Sequence, residues 1–219
     1  MNIKKNQSVK EIFAVAAQHH KKNNFKVAEK LYKEILKINP NYADVHNNLG
    51  IVFQQLGQFQ KAISYFQKAI GIKPNYADAY YNLGKAFNEL NEFQKAINCY
   101  NKAIKINPNY ADVYNNLGMI FKDLGEHQKA ISFYEKSIQI NPNYVNAYNN
   151  LGTILLELGN VNEAKKNFEK SLNLNQNNKE TCEGYGNVLL KLDKHDKALA
   201  YIRKGTGFIR FTQKDFNLI

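Results

Sequence analysis

Cysteine, proline and long apolar runs are all scarce in this chain, and each scarcity excludes something. The 219 residues contain two cysteines, Cys99 and Cys182. Their separation matches no metal-ligand spacing, so they read as two free thiols in a reducing compartment, not as a disulfide framework or a zinc site. No apolar run approaches the ~18 residues that a membrane span needs. The N-terminal stretch MNIKKNQSVKEIFAVAAQHHKK is basic, but its apolar part is too short and too broken for a signal peptide. That places the protein in the cytoplasm.

Catalytic combinations are equally thin. The histidines are His19, His20, His46, His127 and His195. His19 and His20 are adjacent and point to different sides of a helix. His127 and His195 open helices, and His46 falls at a core position where its ring packs flat. There is no phosphate-cradling glycine loop, zinc-type helix pair or nucleophile elbow. The expectation is a protein that is not an enzyme and uses no metal or cofactor.

The chain has only four prolines, but they are evenly placed: Pro40, Pro74, Pro108 and Pro142. Around them one phrase recurs: NPNYADVHNNLG from Asn39, KPNYADAYYNLG from Lys73, NPNYADVYNNLG from Asn107 and NPNYVNAYNNLG from Asn141. Each start lies 34 residues after the last, a period that marks a repeat array. With each repeat opened at its Ala43-type residue, regular repeats span 43–76, 77–110, 111–144 and 145–178. Degenerate repeats flank them at 9–42 and 179–204, as capping repeats that face solvent would. Residues 1–8 form a flexible lead-in, and 205–219 form an apolar tail.

Every repeat reads as two helices. Asn75-Tyr76-Ala77-Asp78 looks like a capping box for the helix that follows, with Asn41, Asn109 and Asn143 in the same role. Gly57, Gly125, Gly159 and Asn91 stop the first helix by tolerating the left-handed conformation. The prolines stop the second helix. Small residues pair where the helices approach: Gly50 with Ala62, Gly84 with Ala96, Gly118 with Ala130 and Gly152 with Ala164.

This pattern resembles the tetratricopeptide repeat (TPR) family. One repeat carries Tyr80, Leu83-Gly84, Phe87, Ala96, Tyr100, Ala103 and Pro108 at the family spacing, and the next carries Tyr114, Leu117-Gly118, Phe121, Ala130, Tyr134 and Pro142. His46, Ser137, Ser171 and, in the last repeat, Cys182, Ile202 and Gly205 depart from it. The resemblance implies an all-α fold, with about six stacked helix pairs in a right-handed superhelix and a concave groove lined by the first helices.

In each first helix, positions 3, 4, 7, 8, 10, 11 and 14 are almost all apolar, aromatic or glycine. At about 100° per residue the others form one stripe, which the resemblance places in the groove. It offers Asp44, Asn47, Asn48 and Ile51; Asp78, Tyr81, Asn82 and Lys85; Asp112, Asn115, Asn116, Met119 and Lys122; and Asn149 and Asn150. A carboxamide both donates and accepts, so an evenly spaced row suits the backbone of an extended peptide. Such a ladder resembles the one in the TPR arm of the O-GlcNAc transferase family. The alternative is that one Asn was copied four times and each bonds its neighbouring helix or water.

Net charge is +11, from 30 Lys and Arg against 19 Asp and Glu. The stripe runs the other way, with Asp44, Asp78, Glu89, Asp112, Asp123 and Glu157 against Lys85 and Lys122. Lysines recur seven apart on the second helices, at Lys61 and Lys68, Lys95 and Lys102, Lys129 and Lys136, and read as a solvated outer face. The aromatics that could stack bases are committed to the core, so nucleic acid is not the expected partner. A neutral or basic peptide is. The sequence thus points to a non-catalytic scaffold, or else to the substrate-recruiting arm of a glycosyltransferase- or oxygenase-like enzyme whose catalytic part lies elsewhere. The tail GTGFIRFTQKDFNLI is apolar after Lys204. It reads as a cap or hairpin folded on the last repeat, or as a contact for self-association.

Overall fold

The computed structural model describes residues 2–207, and among them are twelve α-helices and no strand. They form two compact blocks, one within residues 1–109 and one within 110–219. The first block holds α1 (Asn2–Lys21), α2 (Phe25–Ile38), α3 (Ala43–Gln55), α4 (Phe59–Ile72), α5 (Ala77–Glu89) and α6 (Phe93–Ile106). The second holds α7 (Ala111–Asp123), α8 (His127–Ile140), α9 (Val145–Glu157), α10 (Val161–Leu174), α11 (Lys179–Lys191) and α12 (His195–Thr206). In each block consecutive helices pair as three hairpins, and each hairpin packs on the next. Residues 2–8, the lead-in to the first repeat, are part of α1. Helix α12 runs past Lys204 to Thr206. The tail readings for 208–219 lie outside the described residues.

The hairpin turns follow the chemistry read from the sequence. Gly57, Gly125 and Gly159 have φ of 70°, 75° and 81°, and Asn91 has 57°. The left-handed residue lets the next amide reach back five residues, Gln58 N to Phe53 O at 2.8 Å and Glu126 N to Phe121 O at 2.8 Å. In the end hairpins the same conformation falls to Asn23 and Asp193, at 59° and 57°.

The helix starts differ from the capping box read in the sequence. The N-cap residues are Tyr42, Tyr76, Tyr110 and Tyr144, none with a side-chain cap bond. Asn41, Asn75, Asn109 and Asn143 stand one residue too early to cap. Instead Asn39, Asn107 and Asn141 accept from the backbone amides of Asn41, Asn109 and Asn143 at 3.1–3.2 Å, a turn that closes just ahead of the helix. Among the described residues only Asn178 caps with its side chain, accepting from Thr181 N at 2.8 Å.

Within each hairpin the close approach is glycine against a ring. A Cβ on Gly50 would stand 2.4 Å from Phe66, on Gly84 2.5 Å from Tyr100, on Gly118 2.6 Å from Tyr134, and on Gly152 3.0 Å from Phe168. Ala62, Ala96, Ala130 and Ala164 are fully buried one turn earlier. Each of those rings is at most 1% exposed. Burying such a side chain is worth roughly 1.5–3 kcal/mol, so these rings are the main apolar fasteners of the hairpins.

Candidate protein-binding site

The stripe residues lie on α3 and α5 in the first block and on α7 and α9 in the second. A first set of them holds hairpins together. Asn82 Nδ2 donates to Asn47 Oδ1 at 3.1 Å, and Asn150 Nδ2 to Asn115 Oδ1 at 3.0 Å. Asn47 and Asn115 are only 4% and 3% exposed. At those positions the carboxamides bond one another across successive hairpins, as in the alternative reading of the row, because position 5 lies where the stripe meets the packed arc. Asn48 Nδ2 donates to Tyr32 Oη at 3.3 Å.

The acidic positions are engaged in the same way. Tyr144 Oη donates to Asp112 Oδ1 at 2.8 Å, and Tyr76 makes the matching bond to Asp44. Burial, reinforced by the Asp44 carboxylate, pushes the Tyr76 hydroxyl well above its usual range. The sequence reading missed these tyrosines as clasps. Their signal was the Tyr that closes the PNY phrase, 32 residues after Asp44 for Tyr76 and after Asp112 for Tyr144. Asn149 Oδ1 is buried with no hydrogen-bond partner. The residue that would donate to it one repeat on is Gly184, which has no side chain to give.

A second set remains toward solvent. In the first block Ile51 and Tyr81 are half-buried, and the Lys85 ammonium lies 5.6 Å from the Tyr81 ring centroid. Asp78 and Glu89 are exposed. In the second block Met119 is 42% exposed, although it sits mid-helix. Lys122 pairs with Glu157 at 2.9 Å, joining α7 to α9. Asn116 is half-buried, as are Asn149 and the clasp residue Asn150.

The outer lysines do more than meet water. Lys61, Lys95 and Lys129 stand 5.5, 5.3 and 5.2 Å from the ring centroids of Phe53, Phe87 and Phe121. Lys95 and Lys129 also pair with Glu92 and Glu126. Each aromatic at repeat position 11 therefore has a cationic lid.

His46 packs as a ring, 6.0 Å from Tyr65, and its Nε2 also donates to Pro40 O at 2.8 Å. Burial pushes the Cys99 thiol up to about 11 and raises that of Cys182. Neither is an activated thiolate. Among the described residues no three His, Cys, Asp or Glu side chains group as a metal site, and no helix is long and apolar enough to cross a membrane.

Family models agree with this architecture. A TPR-repeat model matches residues 18–57 and 84–125, and two tetratricopeptide-repeat models match 43–76 with 111–144, and 133–166. The crystal structure of MamA is 35% identical, covering 74% of this chain and 95% of that one, with a TM-score of 0.65. The chain belongs to the tetratricopeptide repeat family. The fold of this TPR protein is also that of Pseudomonas aeruginosa pilF, at 19% identity, TM-score 0.81, and coverage of 90% and 89%. YrrB, a TPR protein with an unusual peptide-binding site, is 19% identical with a TM-score of 0.61, over 80% of this chain and 91% of its own. No curated protein matches the sequence.

Proposed function

We propose that this TPR protein is a non-catalytic interaction scaffold that holds an extended segment of a partner protein along the first helices of its hairpins. One observation carries the reading. Stripe residues used as clasps are the same in both blocks, whereas Ile51, Tyr81 and Lys85 of the first block are replaced by Met119, Asn149 and Thr153 at the same repeat positions of the second. These positions change chemistry from block to block while the clasps do not, and they are where a partner can be told apart. The peptide-binding site in the name of YrrB gives a precedent within the fold. Exposed Asp78, Glu89 and Asp123 suit a neutral or basic segment over an acidic one. The outer lysines are engaged with rings and carboxylates, which weighs against nucleic acid.

Selection of random peptides on the immobilised full-length protein tests this. Tyr81→Ala or Met119→Ala is expected to weaken a selected peptide by roughly five- to thirtyfold, about 1–2 kcal/mol, with the melting temperature unchanged for Met119→Ala. Failure to select any sequence, or affinities indifferent to both substitutions, rejects the reading.

A further inference from the structure

Resting on the scaffold reading above, we infer that the segment held by the first block carries an acidic residue over α1 and a basic residue over α5, about six residues apart, with small or apolar residues between. Lys10, Ala14, Ala17 and Lys21 of α1 stand at the repeat positions of Asp44, Asn48, Ile51 and Gln55 on α3, and of Asp78, Asn82, Lys85 and Glu89 on α5. Along that strip the charge reverses. Lys10 and Lys21 are exposed at one end, and Asp78 and Glu89 at the other. On α3 between them Asp44 is bonded to Tyr76, and Gln55 is neutral. The Lys85 ammonium lies 5.6 Å from the Tyr81 ring centroid and offsets part of the α5 charge, but the two carboxylates outnumber it. Glu11, beside Lys10, falls at the position that Val45 and Ala79 bury in the later repeats, so it stands off the strip.

The three helices are tied side by side. His20 Nε2 donates to Gln55 Oε1 at 2.9 Å, joining α1 to α3, and the Asn82–Asn47 clasp joins α5 to α3. Packed helices stand about 8–10 Å apart, so α1 and α5 are roughly 20 Å apart across α3. About six extended residues span that distance. Between the charged ends the strip is smaller and less polar, with Ala14 exposed and Ala17 and Ile51 half-buried. Each end offers only a surface ion pair, which is weak alone. The two together select a segment by its charges more than they hold it. The second block shows no such reversal. There Asp112 and Asp123 on α7 are followed by Asn146 and Glu157 on α9, and α11 brings one charge of each sign, Glu180 and Lys191.

The test pans three peptide libraries on the immobilised full-length protein. They share a random interior and differ only in two fixed residues about six apart: one Glu and one Lys, two Lys, or two Glu. The mixed library is expected to give the tightest binders, roughly three- to tenfold ahead of either uniform one. Lys10→Glu/Lys21→Glu should pass that lead to the two-Lys library, and the milder Lys10→Gln/Lys21→Gln should only erase it. Glu89→Lys should pass the lead to the two-Glu library. Lys10→Glu/Lys21→Glu/Glu89→Lys should return it to the mixed library, because the charges have then changed places. Circular dichroism checks that every variant stays helical. Binders indifferent to their fixed residues, or a ranking that ignores these substitutions, overturn the proposal and leave the scaffold reading intact. No binder from any library rejects both.

Discussion

Laid over one another at the same repeat positions, the two blocks agree in one set of residues and disagree in another. Asp44 with Tyr76 and Asn47 with Asn82 in the first are Asp112 with Tyr144 and Asn115 with Asn150 in the second, bonded alike. Around them Tyr65 becomes Phe133, and Cys99 stands at that position in the repeat between, while Ile51 becomes Met119 and Gln54 becomes Lys122. The lesson is a division of labour on one helix. Residues that close a hairpin onto its neighbour through the tyrosine and carboxamide clasps have fixed chemistry, and those one step around the helix are left free to vary.

That division can be tested, beginning with its largest expected effect. Cys99 stands where other repeats place an aromatic ring, and its thiol is held at about 11 against an ordinary 9.0. Its alkylation by iodoacetamide at pH 8 should run roughly a hundredfold slower than that of an unperturbed thiol. The stability gained by keeping it protonated is whole below pH 9 and is lost as pH climbs through about 11. A rate like that of a free thiol would show that the site is open.

Next come the glycines. Gly50→Ala and Gly118→Ala drive a methyl into a fully buried ring and should cost about 1–3 kcal/mol in urea unfolding. Gly152→Ala starts from the longer 3.0 Å approach. There the gain in helix propensity, up to ~1 kcal/mol, should bring the balance near zero. Equal losses at the three sites would mean that the ring distance does not decide them.

The clasps follow. Asn115→Ala removes a buried acceptor and orphans Asn150, for about 1–2 kcal/mol. Asn149→Ala removes an acceptor with no partner and should be neutral or stabilising. Tyr144→Phe should cost about 1 kcal/mol. The smallest loss from breaking a bond belongs to Lys122→Ala, whose surface pair with Glu157 is worth under about 1 kcal/mol. Melting curves rank all four, and a large loss for Lys122→Ala would place it among the fasteners.

Much of this fold was legible because its signals are local and repeated. The period, the hairpins and the turn residues Gly57, Asn91, Gly125 and Gly159 each follow from a short stretch of chain. The clasps were not legible, because Tyr76 and Asp44 both have a plausible local role at a helix start. Their actual bond spans two hairpins. The asparagine row could be seen, but not its direction. Position 5 sits at the edge of the apolar arc, and a small rotation decides whether Asn47 faces solvent or the neighbouring hairpin. Asn149 shows the limit from the other side. Nothing in its own repeat reveals that the residue it needs, one repeat on, is Gly184.

The carboxamide clasp joins like to like at a fixed offset, and that bears on how such a gene can change. Excising residues 77–110 in frame would hand Asn47 the amide of Asn116 in place of Asn82, and Tyr76 would still close on Asp44. Unequal recombination between copies could therefore shorten or lengthen the array without any compensating substitution at the new joint.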